Sequence, residues 1–277
     1  MFKIGMSSCG FEINDENLSL MKKSGIDYLE ISLYPDKCDS FDYAEARRLA
    51  DKHGVTIWSY HLPFLPFSKL DISSKDEQKR EYTVKYLCEL IRKGSSYGID
   101  KFIVHPSAEP IEDSERAERI KISMDSLNTL AECADSCGAT ICVEDIPRTC
   151  LSSNIVDMKT LMSANDKLKV CFDVNHLLKD SHSDFINAFS DKIITTHISD
   201  YDFIDEKHWL PGEGKIEWTK LANDLKSHGF DGVWLYEIGL DCPKTIKRTR
   251  DLTFIDVYNN AQSIFKGEDP ESFLIKE

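Results

Sequence analysis

Short runs of apolar, often β-branched residues alternate with longer amphipathic stretches along the chain. The runs at 3–8, 28–33, 56–61, 101–105, 140–145, 169–174, 193–199 and 232–238 have the length and composition of strands. Between them, apolar positions recur at helical spacing over 14–24, 42–53, 75–97, 113–137, 155–164, 182–190, 216–228 and 243–265. Five of the junctions leading into a strand carry a glycine, at Gly25, Gly54, Gly98, Gly138 and Gly229. A helix closes there on a left-handed residue. Strands alternating with helices predict a parallel sheet covered by helices. Eight such units in 277 residues fit a closed (β/α)8 TIM barrel better than an open sheet. No Gly-x-Gly-x-x-Gly follows the first strand, which counts against a dinucleotide site there. The pattern predicts one domain over 1–266, with a charged, Pro270-containing tail at 267–277 that is loosely held.

Composition narrows the classes. The chain is 41% apolar and 30% charged, enough to build a core rather than stay disordered. Lys plus Arg number 34 against 48 Asp plus Glu, a formal charge of −14. Proteins that neutralise phosphates gather the opposite sign, so no nucleic-acid partner is expected. No targeting signal opens the chain, and no segment approaches the ~20 apolar residues of a membrane span, so a cytoplasmic, membrane-free protein is expected. The nine cysteines are scattered and lack a Cys-x-x-Cys pair, which reads as reduced, mostly buried thiols. Cys133 and Cys137 lie one helical turn apart, but two thiols make an incomplete metal site.

Barrel chemistry sits where the strands end. Glu30 ends the second strand, His61 the third, His105 the fourth and Glu144-Asp145 the fifth; Asp173 to His176 end the sixth, His197 to Asp200 the seventh, and Glu237 the eighth. Of the eight histidines, His61, His105, His176 and His197 lie at these ends and His208 in the loop after the seventh strand. Glu144, Asp173, His197 and Glu237 each follow an apolar strand and would project into one mouth. Three carboxylates and an imidazole converging there would repel one another unless a cation held them. Such mixed oxygen and nitrogen donors suit one divalent ion: Mn²⁺, Mg²⁺, Zn²⁺ or Co²⁺.

The ordered signatures Val143-Glu144-Asp145, Phe172-Asp173-Val174-Asn175-His176, His197-Ile198-Ser199-Asp200, His208 with Gly212-Glu213-Gly214-Lys215-Ile216-Glu217-Trp218, and Tyr236-Glu237 resemble the xylose isomerase-like barrels. Within these they are most similar to the sugar phosphate isomerase/epimerase branch, over nearly the whole chain. The resemblance implies that Glu144, Asp173, His197 and Glu237 ligate the metal, and that Glu144 and Glu237 are also the catalytic acid/base pair, on opposite faces of a bound sugar. Taking a proton from the carbon beside a carbonyl needs a base and a stabilised enediolate. Return of the proton on the other face gives epimerisation; return to the neighbouring carbon gives aldose–ketose isomerisation. His61, His105, His176, His208 and Glu213 are assigned to substrate binding, with a second-metal role open for His176. Trp58, Phe64, Phe67 and Trp209 are candidate walls for a sugar ring.

The same residues also resemble the abasic-site endonucleases of the endonuclease IV type. His61, His105, Glu144, Asp173, His176, His197, His208 and Glu237 stand where that family's three-metal cluster has ligands, and Glu206 stands where it has an Asp. The excess of acids argues for the sugar enzyme. Ketohexose 3-epimerases of the superfamily carry an Arg six positions after the seventh-strand histidine, where this chain has Phe203. An inosose dehydratase-like lyase shares the barrel and the metal logic. Lys215, Lys244 and Lys247 are placed near the mouth for a phosphorylated substrate, so phosphorylation stays open. The expected partner is a small-molecule sugar, and homo-oligomerisation is compatible with the sequence.

Overall fold

The computed structural model describes residues 2–275. Eight strands, β1 (Lys3–Ser7), β2 (Tyr28–Ser32), β3 (Thr56–His61), β4 (Lys101–Val104), β5 (Thr140–Glu144), β6 (Lys169–Asp173), β7 (Ile193–His197) and β8 (Val233–Tyr236), close into a barrel in sequence order. Every pairing is parallel, and β8 returns to β1 with Lys3 opposite Val233 and Met6 opposite Tyr236. Around it lie α1 (Asp15–Lys23), α2 (Tyr43–His53), α3 (Glu77–Ser96), α4 (Asp113–Ser136), α5 (Ile155–Met162), α6 (His182–Phe189), α7 (Trp218–Ser227) and α8 (Phe254–Lys266). This is a (β/α)8 TIM barrel.

Local chemistry sets the element ends. Asn14, Asp42, Asp76, Asn154 and Ser181 each accept a backbone N–H from the first turn of the following helix. All five glycines expected to close helices have positive φ, for instance +65° at Gly54 and +70° at Gly138. The last helix begins at Phe254 rather than 243. Pro243 lacks a donor, and 243–253 forms a loop in which Arg248 is drawn into the interior.

Strand alternation divides the core. Phe102, Ile141, Val143, Val170 and Phe172 belong to the main apolar core, whereas Ile103, Cys142 and Cys171 form a small cluster of their own. Cys142 and Cys171 stand two residues before Glu144 and Asp173, so by the period of two each pair shares a face. All nine cysteines are free thiols. Trp58 is no sugar wall: its indole Nε1 donates to Thr195 Oγ1 at 3.1 Å, and the ammonium groups of Lys3 and Lys101 cover its ring. Lys3 and Lys101 begin their strands, so Trp58 lies toward the end of the barrel away from the strand C-termini.

Two buried networks hold the loops after β7 and β8. The Asp200 carboxylate accepts N–H groups from Tyr201, Gly212, Ile216 and the Trp218 indole. A Cβ at Gly214 would strike that carboxylate and the Tyr201 carbonyl, which explains the glycine. Glu213, assigned above to substrate, is instead engaged internally. Both its oxygens face the Arg248 guanidinium, the shortest contact being 2.7 Å, and both side chains are fully buried. Trp209 is likewise part of the scaffold, its Nε1 donating to Thr245 Oγ1. Over its described residues, 267–275, the tail is tied down rather than loose. Thr249 donates to Phe273 O and Ile275 to Lys247 O, while Pro270 packs on Gly212.

Glu213→Gln leaves the Arg248 charge buried and unpaired, so a loss of about 3–5 kcal/mol is expected. A thermal melt should show it as a drop of roughly 6 °C or more; a shift within 1 or 2 °C, on the order of measurement scatter, would show the pair to be dispensable. At α8, Asp256 accepts from Arg250, Thr253 Oγ1 and Thr253 N. Arg250 first, then Thr253, holds its carboxyl at about 2. Its contribution is therefore complete above the unfolded value of about 4 and lost as pH falls through about 2. Asp256→Asn should cost about 1 kcal/mol at neutral pH. In denaturant titrations the difference from the parent should shrink between pH 4 and pH 2; a constant difference would refute the assignment.

Candidate active site

The strand ends deliver a dense cluster of ionisable groups to one mouth. Glu144 and Asp173 are the last residues of β5 and β6, His197 the last of β7, and Glu237 follows β8. One ligating atom from each lies within 4.8 Å of the others. Three of the four are 1% exposed or less, and Glu237 keeps 12% of its side chain accessible.

Glu144 is the hub. Its Oε1 is 2.7 Å from His197 Nδ1, and its Oε2 is 3.1 Å from His61 Nε2 and 3.0 Å from His105 Nε2. Burial opposes its ionisation, but His197 and His105 outweigh burial and hold the carboxyl well below the usual carboxylate range. His61 is raised to about 9 because Glu144 outweighs the effect of burial. His105 moves the other way, its burial prevailing over the same carboxylate.

Asp173 has the opposite environment. Its Oδ1 accepts the Asn175 N–H, while Oδ2 is buried without a hydrogen-bond partner, 3.5 Å from His176 Nδ1 and 3.8 Å from His197 Nδ1. Burial, with Glu237 and Glu144 nearby, raises its carboxyl well above the usual range. An orphaned oxygen beside two imidazoles, with Glu144 and Glu237 nearby, calls for either a proton or a cation. The donor set therefore fits a divalent ion, with Glu144, Asp173, His197 and Glu237 as the residues able to hold it.

Glu30 completes the His197 environment. It is fully buried in β2, its oxygens lie 3.0 and 3.2 Å from His197 Nε2, and Ser59 Oγ donates to it at 2.7 Å. With one ring nitrogen on Glu30, the other is left to face the cluster, an arrangement that fixes the ring. Sequence reading placed Glu30 at a strand end without assigning it a role. The available signal was an acid between Leu29 and Ile31 in the middle of the short strand Tyr28–Ser32. Asp145 is a comparable support: it is 1% exposed and accepts the Asp173 N–H at 2.8 Å, and burial pushes its carboxyl up to about 8.

Two further groups converge. His61, His105 and Glu144 form one; His176, Glu206 and His208 form the other. His176 donates from Nδ1 to the Asp145 carbonyl at 2.7 Å and meets Glu206 across 3.2 Å at Nε2. Burial works against the Glu206 carboxylate, yet His176 draws it to about 2. His208 adopts the left-handed region at φ +52° and approaches Glu237 Oε2 at 3.7 Å.

A cavity of about 360 Å³ opens over these residues, within the range of small-molecule sites. His61, His105, His176, His208, Glu144, Glu206 and Glu237 line it, together with Phe64, Phe67, Glu109 and Arg148. Two of the four proposed ring-wall aromatics are thus present. Glu213, Lys215, Lys244 and Lys247 are not among the residues that line it. Among the described residues, no helix is long and apolar enough to cross a membrane.

Known proteins resemble this chain in sequence or in fold. An uncharacterized protein of Methanocaldococcus jannaschii is 26% identical over 194 residues, 67% of this chain and 65% of its own length. The fructoselysine 3-epimerase of Escherichia coli O157:H7 is 26% identical over 129 residues, covering 41% of this chain and 44% of that protein. A solved L-ribulose 3-epimerase superposes with a TM-score of 0.77 at 18% identity, covering 96% of this chain and 94% of that one, a likeness of fold. The family model for xylose isomerase-like TIM barrels matches residues 18–253, and with the eight-stranded barrel and its mouth already described, the chain belongs to that family.

Proposed function

We propose that this protein is a divalent-metal-dependent sugar isomerase or epimerase that moves a proton beside a carbonyl group through an enediolate. The observation that carries this reading is the Glu144, Asp173, His197 and Glu237 cluster with its unpartnered Asp173 Oδ2, two of whose members, Glu144 and Glu237, line a monosaccharide-sized cavity. The 3-epimerase names of the Escherichia coli relative and of the ribulose enzyme support the same class of chemistry. A divalent ion bound by the four residues would act as a Lewis acid for the oxygens of the substrate.

The chain supplies the proton chemistry. Glu144 and Glu237 both line the cavity, and both are held toward the ionised form, so each can take a proton from carbon. When one carboxylate oxygen removes the proton, the C–H electron pair moves into the C=C–O⁻ of the enediolate. The other carboxyl, having first taken up a proton from solvent, delivers it to the opposite face to complete the epimer, and the carboxylate that took the first proton returns it to solvent. His61 and His105 lie beside Glu144, where they can bond sugar hydroxyls and orient the reacting carbon. Burial excludes water from the carboxylates, which keeps their charge effective.

The groups around His61 and His176 favour a second reading, a multi-metal abasic-site endonuclease. Against it stand the acidic outer wall formed by Glu109 and Glu206, with Asp205 behind it on Arg148, and the net charge of −14.

Incubation with a ketose and aldose panel in deuterated water should place solvent deuterium on a substrate carbon, and Glu144→Gln and Glu237→Gln should each slow exchange by ~10²–10⁴. No exchange with any sugar, alongside cleavage of an abasic-site duplex, would transfer the protein to the second reading. Metal affinity gives an independent check. In Mn²⁺ titrations, Asp173→Asn should abolish stoichiometric binding, and Glu30→Gln, which leaves all four donors in place, should weaken it by ~10–100-fold. Unchanged Mn²⁺ affinity in both variants would remove the metal site.

A further inference from the structure

The outer wall of the cavity contains one arginine each of whose three guanidinium nitrogens donates to a carboxylate. Among the described residues lining the cavity, Arg148 is the lone arginine or lysine. It stands on the loop after β5 in the left-handed region, at φ +58°, a conformation that a non-glycine residue keeps only when its surroundings require it. Those surroundings are carboxylates. Nε and Nη2 donate to the two oxygens of Glu109 at 3.0 and 2.5 Å, from the loop after β4. Nη1 donates to Asp205 at 2.8 Å and lies 3.1 Å from Glu206, both on the loop after β7. Lys179 donates to the Arg148 carbonyl and Ser153 Oγ rather than to these carboxylates.

We propose that Arg148 is a specificity-determining residue for the non-reacting end of the substrate: clamped by Glu109, Asp205 and Glu206, it makes that end of the site accept an uncharged polyol and reject a phosphate ester. The inference rests on the sugar isomerase/epimerase reading above and names its substrate class.

An arginine free on a cavity wall is a ready fork for phosphate. Here the fork is filled by a bidentate carboxylate and the remaining edge by two more. Arg148 and its three carboxylates sum to −2, and His176 on Glu206 offsets at most one of those charges, so this side of the site stays negative. Carboxylate lone pairs not directed at Arg148 can accept hydrogen bonds from sugar hydroxyls. A phosphate dianion carries acceptors only and would face acceptors of its own sign. The clamp also joins three loops, so Glu206 is presented to His176 with its other oxygen on Arg148.

The test has a turnover arm and a binding arm, both on the metal-loaded protein. Ketohexoses that exchange deuterium should have kcat/KM at least 10-fold above their terminal phosphate esters. Calorimetric titration with inorganic phosphate should show the isosteric double variant Glu109→Gln/Asp205→Asn binding at least 5-fold more tightly than the parent. Adding Arg148→Met should remove that gain, which separates the freed guanidinium from any phosphate held by metal. Phosphate esters turned over as well as their parent sugars would overturn the proposal, as would equal phosphate affinity in parent and double variant. If no sugar is turned over while the phosphate titrations behave as expected, the clamp stands and the isomerase reading falls.

Discussion

Buried like charge at the barrel mouth is the constraint on which the site depends. Glu30, Glu144, Asp173 and Glu237 approach one imidazole, that of His197, from four different strands or strand ends. No arrangement of carboxylates alone is stable there. The chain meets the constraint unevenly. Glu144 is surrounded by His61, His105 and His197 and stays ionised, whereas Asp173 has an oxygen without a partner and a carboxyl pushed upward. That imbalance is what a cation would relieve, and it sits where the proposed chemistry needs a charge.

The supporting shell follows from the same problem. Glu30 occupies the far nitrogen of His197, and Asp145 holds the Asp173 backbone. Farther out, Arg148 gathers acids from two neighbouring loops, and the Glu213–Arg248 pair locks the loops after β7 and β8 together. Each ion pair keeps a backbone segment where a first-rank side chain needs it. The loops of this mouth are thus organised by ion pairs, one fully buried and one partly exposed, as well as by apolar packing.

Much of the fold was legible along the chain because hydrophobic periodicity and glycine stops report local geometry directly. All eight strands begin within one residue of the apolar runs that announce them, and the five helix-closing glycines have the expected backbone. The start of α8 was not legible: its apolar positions continue upstream into a loop whose course is set by burial of Arg248 against Glu213, a partner 35 positions away. The cluster of Glu144, Asp173, His197 and Glu237 was legible as a convergence because strands in a barrel end on one side. The division of labour within it was not.

By itself, the sequence determined the barrel, the side of it that carries chemistry, and which acids and histidines meet there, since each follows from strand order and the two-residue alternation of side chains. Tertiary structure alone decided the rest: that Glu30 backs His197, that Glu213 belongs to a buried ion pair, that Trp58 lies toward the opposite end from the site, and that Arg148 is clamped by acids from two other loops. These outcomes rest on distances between residues remote in the chain. Electrostatic and hydrogen-bond energies depend on those distances and on burial, neither of which any local pattern encodes.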